Sequence, residues 1–293
     1  MPLQTIRALL KTMRPRQWIK NILIFTPLVF DQQLDDLPAL LRNMAGFALF
    51  TLVASGVYIL NDLADLQADR QHPLKRLRPL ASGALPAQVA ILAAGLVILI
   101  AFPLAYLLSP PFAVLLLGYL ILNLAYTKWL KHQPLIDVFT LASFYLLRVV
   151  AGLTLITVTR FSPWLYVVTT LLALYIGFGK RRAELALLAD EAQAHRRVLD
   201  GYTIPLLDQF ITILSATTIV AYSLYTFSAP NLPENHAMML TIPFAFYGIF
   251  RYLYLVQMKQ SGGEPEEVLF TDRLLQVTII LWGLAILAIF YLN

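Results

Sequence analysis

Apolar residues along this chain fall into long runs that short polar segments separate. A helix needs about 20 predominantly apolar residues to cross a bilayer, and nine runs approach or exceed that length. They cover residues 16–31, 39–61, 86–108, 111–129, 133–157, 162–179, 205–228, 237–257 and 272–292. The pattern predicts an all-α, polytopic membrane protein with nine transmembrane helices that form a single domain over residues 1–293.

Composition supports the membrane assignment and excludes several kinds of site. Of the 293 residues, 59% are hydrophobic and only 13% are charged, whereas soluble domains have about 25% charged residues. The chain contains no cysteine, which excludes disulfides and thiolate sites. The histidines lack metal-ligand spacing, which argues against a zinc site; they are His72, His132, His195 and His236.

The distribution of Lys and Arg predicts the orientation in the membrane. Segments on the N-terminal side contain most of these residues, whereas the opposite segments contain only Arg42 and Arg160. We therefore expect a multi-pass protein of the plasma (bacterial inner) membrane with a cytoplasmic N-terminus and an external C-terminus. The net charge of +5 then follows from this topology and does not indicate nucleic-acid binding; the expected partner is the lipid bilayer. No small-residue cleavage site follows the first apolar run, so we expect that run to remain uncleaved.

Three aspartates follow the second apolar run, where a membrane helix is expected to meet water. Asp62, Asp65 and Asp69 are spaced by three, four and seven residues, which on one helix places all three carboxylates on the same face. Like charges this close repel, and a divalent cation is the usual way to hold them together. The expected active face, which carries every such polar cluster, is cytoplasmic.

A basic segment follows the aspartates. Lys75 and Arg78 precede Pro79, and an acidic cluster followed by cations suggests a metal-bridged phosphate or diphosphate. Two alternatives remain open. The cations alone fit the excess of positive charge on cytoplasmic loops, and the acids alone fit a solvated helix end paired with Arg70 and Lys75.

Further charged candidates lie within or after the later apolar runs. Arg148 is midway along the fifth run, and an arginine inside a membrane suggests a functional site; the alternative is an ion pair with Asp137. Lys180, Arg181 and Glu184 follow the sixth run, at spacings that also fit a helix salt bridge. All predicted substrate-binding residues are Lys20, Asn21, Asn61, Lys75, Arg78, Tyr126, Lys131, Asp137, Arg148, Lys180, Arg181 and Glu184.

The acidic and basic segments together resemble a family signature. The pattern Asn61-Asp62-x-x-Asp65-x-x-x-Asp69, followed by Lys75-x-x-Arg78-Pro79-Leu80-x-x-Gly83, is similar to the first signature of the UbiA-type intramembrane prenyltransferases. The resemblance covers nearly the whole chain. It implies nine transmembrane helices around a central cavity, with Asp62, Asp65 and Asp69 as catalytic residues that hold Mg²⁺ on a diphosphate.

The second signature of that family differs here. Typical members have another Asp-rich motif after the sixth helix, but residues 178–185 of this chain are basic. Basic residues suit a substrate that carries its own phosphate, which resembles the decaprenyl-phosphate phosphoribosyltransferase branch of the family. Other segments similar to that branch are Arg14-Pro15-Arg16-Gln17-Trp18-Ile19-Lys20-Asn21, Leu130-Lys131-His132-Gln133, Arg148-x-x-Ala151-Gly152, Gly179-Lys180-Arg181-x-Ala183-Glu184-Leu185 and Gly263-Glu264-Pro265-Glu266.

The resemblance implies a Mg²⁺-dependent transferase of cell-wall biosynthesis. It would move 5-phosphoribose from phosphoribosyl pyrophosphate to a polyprenyl phosphate of decaprenyl type and release pyrophosphate. Lys131, Arg148, Lys180 and Arg181 are then candidates for binding the ribose 5-phosphate or the lipid phosphate. One alternative is an ordinary prenyltransferase that joins a prenyl diphosphate to an aromatic acceptor, and another is a transporter of a phosphorylated solute. Prenyl length and oligomeric state, including a homo-oligomer, remain open.

Overall fold

The computed structural model describes residues 3–71, 75–158, 162–188, 197–230, 232–258 and 265–292, and all regular secondary structure in them is helical. This confirms the all-α prediction. The α-helices are α1 Leu3–Thr12, α2 Thr26–Phe30, α3 Leu37–Ala64, α4 Leu66–Gln71, α5 Ala87–Leu108, α6 Pro110–Lys128, α7 Ile136–Leu153, α8 Pro163–Leu188, α9 Ile204–Ser228, α10 Ile242–Met258, α11 Pro265–Thr271 and α12 Arg273–Tyr291. The 3-10 helices are Pro15–Phe25, Lys75–Leu77, Leu130–His132, Arg197–Gly201 and Ala237–Thr241.

Polar residues at the ends of the apolar runs determine where several helices begin. Asp36 before α3, Thr203 before α9 and Asp272 before α12 each accept a hydrogen bond from the backbone amide three residues later. Such caps satisfy amides that have no partner within the helix. Ser109 alone separates α5 from α6, and Pro110 then begins α6.

Seven helices in the described ranges are long and apolar enough to cross a membrane, which supports a multi-pass membrane protein. They are Leu37–Ala64, Ala87–Leu108, Pro110–Lys128, Ile136–Leu153, Ile204–Ser228, Ala237–Met258 and Arg273–Tyr291.

Two of the nine predicted runs are not among these seven helices. Residues 16–31 are divided between the 3-10 helix Pro15–Phe25 and the short α2, so no single long helix forms there. Residues 163–179 lie in α8, where Thr, Tyr, Trp and Gly residues interrupt the apolar sequence. The count of nine therefore stays a prediction.

The chain divides into two compact units. Unit 1 comprises Met1–Leu28, Leu34–Lys128 and Leu147–Thr157. In it α3 packs along α5, and Ile59, Leu85 and Ala90 are fully or almost fully buried. Gly152 permits a close backbone approach, because a Cβ there would lie 2.0 Å from the carbonyl oxygen of Ile24.

Unit 2 comprises Val29–Gln33, Trp129–Leu146 and Val158–Asn293. Helices α8 and α9 pack along each other, and α10 packs against α8, α9 and α12. Its main hydrophobic core includes Tyr175, Leu199 and Leu207. Residues from α8, from α9 and from the connection between them therefore pack in one core.

Candidate functional site

The three predicted acidic residues do not lie on one uninterrupted helix. Helix α3 ends at Ala64, Asp65 has φ −91° and ψ 5°, and α4 begins at Leu66. Aspartate is disfavoured in helix interiors, because its short side chain competes for backbone hydrogen bonds. The expectation of a single helix face is therefore wrong at Asp65. Asp62 and Asp69 are buried, whereas Asp65 is only partly buried.

Asp62 and Asp69 converge on arginine side chains instead. Nη1 of Arg78 donates to Oδ1 of Asp62 at 3.2 Å and to Oδ2 of Asp69 at 2.6 Å. Nη2 of Arg14 donates to the same Oδ1 of Asp62 at 2.5 Å. We call these four residues the acid–arginine cluster; all belong to unit 1.

The backbone around Arg14 positions its guanidinium. Arg14 has φ 54° and ψ 65°, in the left-handed region, and it precedes Pro15, which disfavours a right-handed helical conformation in the residue before it. The left-handed residue separates α1 from the next 3-10 helix. Nε1 of Trp18 lies 3.2 Å from the carbonyl oxygen of Met13 and 3.1 Å from Oγ of Ser55, which fixes this segment on α3. The guanidinium also lies over the ring of Tyr58, 5.1 Å from its centroid.

The acid–arginine cluster contains two buried carboxylates that could bind a divalent cation. No set of three His, Cys, Asp or Glu side chains within the described ranges is placed to hold a metal ion. However, two buried carboxylates that approach one cationic nitrogen match the way proteins bind Mg²⁺, through one or two carboxylates and substrate phosphates. Asp62 and Asp69 thus fit a metal ion that arrives with a phosphorylated ligand.

A second polar cluster in unit 1 brings together predicted residues from distant parts of the sequence. Nε of Arg148 donates to Oδ1 of Asn21 at 2.7 Å, and its Nη2 lies 3.4 Å from the hydroxyl of Tyr119. The guanidinium lies over the rings of Phe50 and Tyr119, at 5.3 and 5.4 Å from their centroids. Nδ2 of Asn21 donates to Thr51 at 2.9 Å. These contacts hold a buried cation among α3, α6 and α7.

Unit 2 contains a separate network in which Asp137 binds Arg181. Nε of Arg181 donates to Oδ2 of Asp137 at 2.6 Å, and Nη1 of Arg181 donates to Glu184. The hydroxyl of Tyr202 donates to Oδ1 of Asp137 at 2.7 Å. Burial, followed by the bond to Asp137, raises the pKa of Tyr202 above its usual value, so this phenol keeps its proton. We call Asp137, Arg181, Glu184 and Tyr202 the buried ion-pair network.

The network decides two alternatives that the sequence left open. The Asp137 carboxylate, which was considered as an ion-pair partner for Arg148, instead accepts hydrogen bonds from Arg181 and Tyr202 within unit 2. The helix salt bridge after the sixth run is formed by Arg181 and Glu184. Lys180 is more exposed, and its Nζ lies 4.0 Å from Glu184.

The remaining predicted residues are distributed over both units. In unit 1, Oδ1 of Asn61 lies 2.8 Å from the hydroxyl of Thr127, Lys75 is exposed, and Lys20 and Tyr126 are partly buried. In unit 2, Lys131 is partly buried. Of the predicted Gly263–Glu266 motif, Gly263 and Glu264 lie outside the described residues, and α11 begins at Pro265.

Sequence reasoning did not identify several residues as site candidates. They include Arg14, Tyr119, Phe50 and Tyr202. Arg14 precedes a proline at the end of an amphipathic segment. This position could have predicted a turn at Arg14, and the turn orients the Arg14 side chain. Phe50 and Tyr119 had no such signal, because in an apolar run they cannot be told apart from residues that face lipid.

Comparisons with known proteins identify the family of this chain. The UbiA prenyltransferase family matches residues 31–273. The decaprenyl-phosphate phosphoribosyltransferase of Mycobacterium tuberculosis is 35% identical over 286 residues, which are 96% of this chain and 93% of that protein. The protein of the same name from Mycolicibacterium smegmatis is 33% identical over 295 residues, 96% of this chain and 92% of that protein.

A solved structure shows the same fold. The structure of a UbiA homologue from Archaeoglobus fulgidus bound to DMAPP and Mg²⁺ superposes with a TM-score of 0.72 at 18% identity, covering 96% of this chain and 99% of that one. The family match extends over most of the sequence, and the relatives align nearly end to end. The chain therefore belongs to the UbiA prenyltransferase family.

Proposed function

We propose that this protein transfers 5-phosphoribose from phosphoribosyl pyrophosphate to a polyprenyl phosphate. A phosphate oxygen of the lipid attacks C1 of the ribose, the bond from C1 to the pyrophosphate oxygen breaks, and pyrophosphate leaves. The lipid phosphate is already anionic at neutral pH, so the reaction needs no strong general base. This accounts for a candidate site built from carboxylates and cations.

The observation that carries the proposal is the near full-length similarity to relatives that bear one name. Proteins called decaprenyl-phosphate phosphoribosyltransferase from three genera are 32–35% identical over 96–97% of this chain. The basic segment around Lys180 supports the same conclusion, because a phosphorylated donor and a lipid phosphate both require cations.

The acid–arginine cluster is proposed to bind the diphosphate of the donor. Asp62 and Asp69 would hold Mg²⁺ there, with Asp65 as a candidate third ligand, and the ion would neutralise charge that develops on the leaving pyrophosphate. Arg78 and the exposed Lys75 would donate hydrogen bonds to the same oxygens. The Arg78 side chain is 30% exposed, which suits this role because its guanidinium is accessible to a ligand.

Other cations are proposed to bind the remaining phosphates. Arg148 is held by Asn21 and two aromatic rings, which orients its guanidinium within unit 1. Lys180 and Lys131 are the corresponding candidates in unit 2. Arg181 has a structural role in this proposal, since its side chain is fully buried between two carboxylates.

The finer topology is proposed from the charge distribution. Residues 16–31 and 162–179 would complete nine spans of one domain over residues 1–293 in the plasma membrane, with the active face in the cytoplasm.

Reporter fusions test this topology. A reporter fused after Asn293 should report an external location, and one inserted near Gln193 should report a cytoplasmic location; both positions lie outside the described residues. Two reporters on the same side would overturn the nine-span topology.

Pyrophosphate release tests the proposed reaction against its alternatives. The purified protein in lipid should release pyrophosphate when phosphoribosyl pyrophosphate, Mg²⁺ and decaprenyl phosphate are all present. Release from geranyl diphosphate with an aromatic acceptor would instead favour an ordinary prenyltransferase. Uptake of phosphoribosyl pyrophosphate into sealed vesicles without pyrophosphate release would favour a transporter.

A further inference from the structure

The acid–arginine cluster is balanced in charge before any ligand is considered. Two buried carboxylates, Asp62 and Asp69, are matched by two guanidinium groups, Arg14 and Arg78. Oδ1 of Asp62 accepts from both arginines. A divalent cation that binds to these carboxylates alone must therefore displace or repel positive charge that the protein itself supplies.

The four side chains differ in their freedom to move. The carboxylates are 3–4% exposed, whereas the side chains of Arg14 and Arg78 are 32% and 30% exposed. The arginines can therefore turn toward solvent or a ligand while the carboxylates stay in place. Arg14 also begins from a left-handed backbone conformation that the surrounding turn fixes, so its side chain starts from a defined position beside Asp62.

We propose that Arg14 is a further donor-binding residue that acts as an exchangeable counter-ion. With no donor bound, Arg14 and Arg78 neutralise Asp62 and Asp69. When the diphosphate and its divalent cation bind together, both guanidinium groups turn to the phosphate oxygens. The inference rests on the proposed function. It adds Arg14 to the donor-binding residues and implies that the cation binds strongly only together with the diphosphate.

Removing the charge of Arg14 should then change two affinities in opposite directions. The bare cation should bind more tightly, because one competing positive charge is lost. The donor should bind more weakly, because its diphosphate carries more negative charge than one divalent cation neutralises and loses a guanidinium partner. A purely structural role for Arg14 would weaken both affinities or change neither.

Mn²⁺ is a suitable probe because electron paramagnetic resonance measures its free concentration. The full-length protein in detergent would be titrated with Mn²⁺ alone, and binding of labelled phosphoribosyl pyrophosphate at saturating Mn²⁺ would be measured by equilibrium dialysis without lipid acceptor. Arg14→Asn is the test variant, because Asn tolerates positive φ. Arg7→Gln removes the same charge from an exposed position of α1 and serves as the control.

The expected result is about tenfold tighter Mn²⁺ binding and about tenfold weaker donor binding in Arg14→Asn, with both constants unchanged in Arg7→Gln. Unchanged or uniformly weakened affinities in Arg14→Asn would overturn the inference while leaving the proposed function intact. Absence of both Mn²⁺ and donor binding from the folded wild type would overturn the proposed function as well. If circular dichroism shows Arg14→Asn to be unfolded, Arg14→Gly, which also suits positive φ, replaces it in the same measurements.

Discussion

The acid–arginine cluster of unit 1 and the buried ion-pair network of unit 2 use the same residue types in different environments. In unit 1, Asp62 and Asp69 bind arginines that remain about one-third exposed. In unit 2, Asp137 binds Arg181, and both side chains are fully buried. The first arrangement leaves its cations accessible to a ligand, whereas the second encloses its cation between carboxylates.

The difference separates a binding site from a structural element. A fully buried pair is costly to break, because removal of one partner leaves a charge without compensation in a medium of low polarity. A partly exposed arginine exchanges partners more readily, because water can solvate it when its ion pair with the carboxylate opens. We therefore expect substitutions in the acid–arginine cluster to change activity and those in the buried ion-pair network to change stability.

The largest effect is expected at the centre of the buried network. Arg181→Ala leaves Asp137 buried without its cation and should lower the free energy of unfolding by about 3–5 kcal/mol. Denaturant titration in detergent measures this change. The double variant Asp137→Leu/Arg181→Met removes both charges and should recover much of the loss. A stable Arg181→Ala protein that has lost only substrate affinity would show that Arg181 binds a phosphate.

The next effect concerns catalysis in unit 1. Asp62→Asn should lower turnover by about 100–1000-fold, because it removes charge that holds the cation, yet the amide oxygen can still accept from Arg14. Turnover and unfolding are measured on the same preparation. Chelation of Mg²⁺ should abolish wild-type turnover. The control is Asp35→Asn, at an exposed position of unit 1, which should retain turnover. Full activity in excess chelator would contradict the metal assignment.

The smallest effect distinguishes Lys180 from its neighbour Arg181. If the half-buried Lys180 binds a substrate phosphate, Lys180→Ala should weaken donor or lipid phosphate binding by about 1.5–3 kcal/mol. If it only pairs with Glu184, the change should stay below about 1 kcal/mol. Steady-state constants for both substrates at saturating Mg²⁺ decide between these outcomes, with the exposed Lys11→Ala as a charge-matched control.

Much of the helical architecture could be predicted from the hydrophobic pattern. The predicted runs 86–108 and 205–228 begin and end within one residue of α5 and α9, because polar caps and prolines mark the ends of these apolar segments. The family resemblance is confirmed by the comparisons. The position of the acids at a helix end is also confirmed, because Asp62 lies in the last turn of α3.

Side-chain partners could not be predicted from spacing alone. Helix α3 is interrupted at Asp65. Asp62 and Asp69 converge on Arg78, and Asp62 also binds Arg14, which is 48 residues away. Arg148 likewise binds Asn21 across 127 residues. The i, i+3 pair of Arg181 and Glu184 could be predicted from the sequence spacing. The contact of Arg181 with Asp137 could not, because it depends on how α7 packs against α8.

The most direct test of the proposed reaction follows both substrates into one product. Purified protein in liposomes would receive phosphoribosyl pyrophosphate labelled in the ribose and decaprenyl phosphate labelled with ³²P, in the presence of Mg²⁺. We predict a single organic-soluble product that contains both labels in equal amounts, formed together with an equal amount of pyrophosphate and absent with Asp62→Asn. Pyrophosphate release without ribose label in the lipid, or label transfer that persists in Asp62→Asn, would contradict the account.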